Sequence, residues 1–181
     1  TYYLDGVHVL SDTQLVIGAG TVFKRVPSPQ FVGLIYIGPK TSGSEATVPA
    51  EKRISILGGP YTFDFTGIAA GSGRLGLVIS GAHFVYVENA RGLNIPDGYA
   101  VFIRKNSAPE AAGALVEHAT IRNIHNEGAA SAWGAVAVVA GKYITFDTIY
   151  TNCGRALDIE MDGQHDDVEG IVASNLICDG G

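Results

Sequence analysis

Short runs of β-branched and aliphatic residues alternate along this chain with polar, glycine-bearing corners. In the first half the runs are Leu15-Val-Ile-Gly18, Leu34-Ile-Tyr-Ile-Gly38, Ile54-Ser-Ile-Leu-Gly58 and Leu77-Val-Ile-Ser-Gly81, with glycines spaced 20, 20 and 23 residues apart. In the second half a phrase returns: Asn94-Ile-Pro-Asp-Gly98, Asn123-Ile-His-Asn-Glu-Gly128, Thr148-Ile-Tyr-Thr-Asn-Cys-Gly154 and Asn175-Leu-Ile-Cys-Asp-Gly180. Its lead position recurs at 29, 25 and 27 residues. Runs of this length and composition, bounded by Gly, Pro, Asn and Ser, predict strands and turns almost throughout. Only Ala108–Val116 reads as helical, and Gly113 weakens it.

An inexact period in the twenties predicts an all-β solenoid of stacked coils, about seven or eight in number. No coil buries its inward-facing residues alone, whereas parallel strands stacked about 4.8 Å apart share one core. On that expectation Asn94, Asn123, Thr148 and Asn175 line one corner as a ladder, each amide satisfying turn backbone that the stack buries. The Pro- and Ser-rich insertions at 26–30, 39–49 and 105–113 then become loops on one side.

With 181 residues, 46% hydrophobic and 17% charged, the chain suits one domain over 1–181 with a large core, not a disordered segment. Its formal net charge of −6 disfavours a nucleic-acid partner. No apolar run is long enough for a membrane-spanning helix, so no membrane insertion is expected. Cys153 and Cys178 lie one predicted coil apart, as buried thiols or as a disulfide. Neither end offers a capping helix, which predicts a piece of a longer chain that assembles, as a homotrimer or within something larger.

The opening Thr1-Tyr-Tyr-Leu-Asp-Gly-Val-His-Val-Leu and rows such as Ala119-Thr-Ile-Arg-Asn-Ile-His-Asn126 resemble the coils of pectate-lyase-like right-handed parallel β-helices. Within that superfamily the chain is most similar to bacteriophage tailspike and tail-fibre domains. The resemblance implies a domain that binds a host surface polysaccharide, with cleavage left open, on a virion tail or outside the cell. A secreted polysaccharide lyase or glycoside hydrolase and a structural spacer are the alternatives. The polygalacturonase carboxylate pattern, the pectate-lyase arginine motif and the mannuronan-epimerase motif are all missing.

Strict alternation sorts the faces of the best-defined strands. It turns Ala156, Asp158 and Glu160 outward, beside Ala135, Ala137 and Val139, and beside Ala100, Phe102 and Arg104. Small residues flanked by an aromatic, an arginine and two carboxylates suit a glycan groove. Same-face residues two apart on a strand are about 6.5–7 Å apart, the low end of the spacing between the carboxyls of inverting glycosidases. Asp158 and Glu160 are therefore the candidate catalytic pair. Phe102, Arg104, Trp133 and His165 are the candidate substrate contacts, with His125 as a further histidine near this face. No phosphate-binding loop or zinc-ligand cluster is present in the sequence, so neither a cofactor nor a metal is expected.

Overall fold

A computed structural model describes residues 1–26, 33–38, 50–69, 74–105, 114–128, 132–160 and 167–179. Every regular element among them is a strand, and every pairing is parallel. The strands form two sheets rather than one uniform coil. The larger has eleven: β1 (Tyr2–Leu4), β3 (Gln14–Ile17), β4 (Val22–Arg25), β6 (Glu51–Gly58), β7 (Tyr61–Asp64), β9 (Ala82–Glu88), β10 (Ala90–Leu93), β12 (Val116–Glu127), β14 (Gly141–Thr151), β16 (Val168–Glu169) and β17 (Val172–Cys178). The smaller has six: β2 (Val7–Val9), β5 (Gly33–Ile37), β8 (Arg74–Ser80), β11 (Gly98–Arg104), β13 (Gly134–Val138) and β15 (Arg155–Ile159).

This corrects the expected single solenoid of seven to eight coils. β12 is one long strand that pairs with β9 along its first part and with β10 along its last. The larger sheet thus forks, with one arm through β10, β7, β4 and β1 and the other through β9, β6 and β3, and it curls around the junction. The glycine period misled because its members serve different corners. Gly98 opens β11 against Arg74, whereas Gly128 stands against Asn94 at the end of β12.

The bend has a local cause. Asn123 interrupts β12 with φ 53°, and its register partners Asn89, Thr148 and Asn175 are left-handed too, at 60°, 57° and 53°. Asparagine tolerates this region because its short amide bonds locally. Three of the four predicted corner residues share this column, but Asn94 does not. It lies one corner further on, where its amide donates to Thr66 Oγ1 at 2.8 Å, and Asn89 holds its expected place.

A second left-handed column runs through Asp12, Arg53, Phe84, His118 and Tyr143. Phe84 stacks on His118 and His118 on Tyr143, with ring centroids 5.3 and 5.1 Å apart. The rings lie over one another because the strand register places them level by level.

Between the sheets lies a continuous aliphatic and aromatic core that includes Leu34, Ile54, Ile56, Phe63, Leu77, Ile121, Phe146 and Ile149, all fully buried. The six-stranded sheet departs from strict alternation. At every level from β5 onward two consecutive residues face this core: Leu34-Ile35, Gly76-Leu77, Ala100-Val101, Ala135-Val136 and Ala156-Leu157. The first of each later pair is small, which lets the strand turn two side chains inward without overfilling the space. Cys153 and Cys178 are free thiols, so the disulfide alternative is not formed.

Candidate active site over the six-stranded sheet

The paired inward residues shift the outer face by one position. Ala100, Ala135 and Ala156, expected outside, lie in the core, and Tyr99, Gly134 and Arg155 take the outward places instead. Beyond the pair the expected alternation resumes. Phe102, Ala137 and Asp158 form one outward row across β11, β13 and β15.

Tyr99, Ala132, Trp133, Gly154, Arg155 and Glu160 enclose a cleft of about 460 Å3 above this row. Asp158 is not itself part of the lining, but it is bonded to two lining residues, Tyr99 and Arg155, and is only 7% exposed. Its Oδ2 accepts the Tyr99 phenolic proton at 2.6 Å and an Arg155 Nη1 proton at 2.5 Å. The same Arg155 nitrogen donates to Glu160 Oε1 at 3.2 Å, so one guanidinium joins both carboxylates. Burial, followed by the hydrogen bond and charge of Asp158, pushes the Tyr99 phenol above its ordinary value. The hydrogen bond to Asp158 likewise raises Arg155. The phenol and the guanidinium therefore stay protonated and serve as fixed donors.

Trp133 forms the open wall of the cleft and is 46% exposed. Its ring meets Tyr99 edge-on at 5.7 Å, and Tyr99 stacks on Phe102 at 6.0 Å. Its backbone is pinned between the starts of β11 and β15 in the smaller sheet, with its N–H donating to Gly98 O at 3.1 Å and its carbonyl accepting from Arg155 N at 3.0 Å. Gly154, at φ 69°, passes so close that a Cβ there would sit 2.4 Å from the Trp133 carbonyl oxygen.

The structure thus brings together Phe102, Trp133, Asp158 and Glu160 of the expected set. Arg104 stands at the other end of β11, about 16 Å of strand from Tyr99, opposite Ser80. His165 lies outside the described residues. His125 is on the other sheet, where β12 pairs with β10, and takes no part in this cleft. Tyr99 and Arg155 were missed because alternation was counted through the inward pair. The small residue before each aliphatic, Gly76, Ala100, Ala135 or Ala156, was the readable sign of it. Among the described residues no group of three or more His, Cys, Asp or Glu is placed to hold a metal ion.

No family model matches the chain, and no curated protein matches it. Among solved structures the fold matches that of a candidate glycosyl hydrolase from Parabacteroides merdae ATCC 43184. The TM-score is 0.62 and the identity 15%, over 96% of this chain and 77% of that one. The likeness is one of fold. With the two-sheet architecture it replaces the expected pectate-lyase-like solenoid, and nothing in it links the chain to phage tails.

Proposed function

We propose that the chain is a carbohydrate-binding protein whose ligand lies in the cleft between Trp133 and Glu160. The observation that carries this reading is the cleft itself. It sets a half-exposed indole beside Glu160 and the Arg155 guanidinium, and Arg155 bonds both Glu160 and the nearly buried Asp158 carboxylate next to the cleft. A saccharide needs a flat apolar wall for its C–H face and closely spaced acceptors and donors for its hydroxyls. The neighbour's description as a candidate glycosyl hydrolase agrees with that ligand class.

The fusion of Asp158 and Glu160 through Arg155 favours a second step, hydrolysis. Asp158 Oδ2 is occupied by two donors, which suits the anion, so Asp158 takes the base's role through Oδ1. Glu160, exposed at the rim, takes the acid's role after protonation from solvent, which the Arg155 guanidinium 3.2 Å away opposes. Glu160 would pass its proton to the glycosidic oxygen as that bond breaks. Asp158 would take a proton from the water that bonds to the anomeric carbon.

Trp133 is the chain's single tryptophan, so its fluorescence reports this cleft alone. Titration with neutral and acidic oligosaccharides should shift its emission saturably, and Trp133→Ala should weaken binding at least about tenfold. Glu160→Gln should abolish reducing-end release while binding stays within about tenfold, a difference of about 1.4 kcal/mol. Binding without release from the parent protein restricts the cleft to recognition. No response to any saccharide overturns the reading.

A further inference from the structure

The forked face of the larger sheet holds a second concavity, of about 320 Å3, lined by Pro60, Asn89, Ala90, Arg91, Asn123, His125 and Glu127. None of these residues belongs to the Trp133 cleft. A directed chain of hydrogen bonds runs along its wall. Asn89 Nδ2 donates to the Gly58 carbonyl at 2.6 Å, Asn123 Nδ2 donates to Asn89 Oδ1, and His125 Nε2 lies 3.2 Å from Asn123 Oδ1.

One backbone group sets the direction of the whole chain. A carbonyl can only accept, so Asn89 must turn its NH2 toward Gly58 and its oxygen toward Asn123. Asn123 must then turn its NH2 toward Asn89 and its oxygen toward His125. An amide oxygen can only accept, so His125 must donate from Nε2. In the neutral ring the proton therefore sits on Nε2, and Nδ1 keeps its lone pair. The Tyr150 ring, 5.3 Å away on the next strand, supports the imidazole from one side.

Beside it Arg91 Nη2 donates to Glu127 Oε2 at 2.5 Å across the same pair of strands. The concavity thus presents guanidinium donors, a carboxylate acceptor and an imidazole acceptor, with the arginine's charge balanced by Glu127. A phosphate or carboxylate ligand would have to compete with Glu127 for Arg91. A neutral vicinal diol matches the set better, because each hydroxyl both donates and accepts.

We infer that this concavity is a second binding site, for a neutral hydroxyl-rich saccharide, in which His125 Nδ1 accepts a hydroxyl proton because the Gly58–Asn89–Asn123 chain fixes its tautomer. The inference rests on the carbohydrate reading for its ligand class, but not on the Trp133 cleft. The test uses the whole chain with 15N-labelled histidines and two-bond 15N–1H correlation spectra, with His125 assigned by its loss in His125→Gln. The probes are cellohexaose, xylohexaose, mannohexaose and maltohexaose.

His125 should show the Nε2–H pattern, and at least one hexaose should shift its ring signals in both the parent and Trp133→Ala. Asn123→Gly, which keeps the left-handed backbone accessible, should mix the tautomers and weaken that hexaose on the order of tenfold. An Nδ1–H pattern overturns the inference, as does a His125 signal that no hexaose moves. If Trp133 emission responds while His125 stays silent, this inference alone falls. If His125 responds while Trp133 stays silent, this inference stands and the first cleft is the wrong place for the ligand.

Discussion

Asp158 sits at 7% exposure with two donors on one oxygen, and the phenol of Tyr99 is one of them. Removing that donor leaves a nearly buried carboxylate with less compensation, and hydrogen bonds to charged groups are worth about 1.5–3 kcal/mol. Tyr99→Phe should therefore lower the unfolding free energy by an amount in that range, read as a fall in the urea midpoint at an unchanged m-value. A loss below about 0.5 kcal/mol would mean that Arg155 satisfies Asp158 unaided. The residues of this cleft were only partly legible beforehand. Asp158, Glu160 and Phe102 were found because alternation holds from the second inward residue onward. Tyr99 and Arg155 lie on the other side of the inward pair, where period-2 counting inverts the face.

At the scale of the element, the apolar runs were legible as strands because β-branched residues bounded by turn formers favour a pleated, half-buried surface. Their partition into two sheets was not. Nor were the bends within the larger sheet, which fall at left-handed residues inside its strands, such as Phe84, His118 and Tyr143, whose side chains carry no local sign of that backbone. The last strand shows what such a column does electrostatically. Asn175 Nδ2 and Ser174 Oγ of β17 each donate to Asp147 Oδ1 of β14 at 2.9 Å. The Thr148 hydroxyl adds a third donor, and Arg122 contributes charge.

The Asn175 and Ser174 bonds, with these lesser contributions, hold the Asp147 carboxyl below its ordinary value. A carboxyl depressed in the folded state adds stability that is present above its unfolded value, about 3.9. That stability is lost as pH falls through the lower folded value. Acid should therefore loosen β17 before the rest of the larger sheet. Amide exchange at Val172–Cys178 should rise below about pH 4, once corrected for intrinsic rates. Asp147→Asn should flatten that rise, and an unchanged profile in the variant would place the acid sensitivity elsewhere.

Across the whole molecule, burial is graded from level to level along both sheets. Ile121 and Phe146 are fully buried in the middle of the larger sheet, and Ile103 and Val138 hold the matching place in the smaller one. At the β17 end an inward position opens: Leu176, level with fully buried Ile149, is 45% exposed. Each level rests mainly on the one before and the one after, so stability should behave as a sum of neighbour terms. Exchange protection should accordingly peak in β9, β11, β12 and β14 and fall toward β1, β2 and β17.

Phe146→Ala removes a ring between Ile121 and Ala173 and should cost about 3–5 kcal/mol, lowering protection on both sides of β14. The open ends also bear on the expected assembly. If copies associate through them, protection in β1 and β17 should climb with protein concentration, and light scattering should show a mass above 18.9 kDa. Protection that stays low at both ends across a hundredfold range of concentration, with scattering fixed at one chain, would rule out association through these faces.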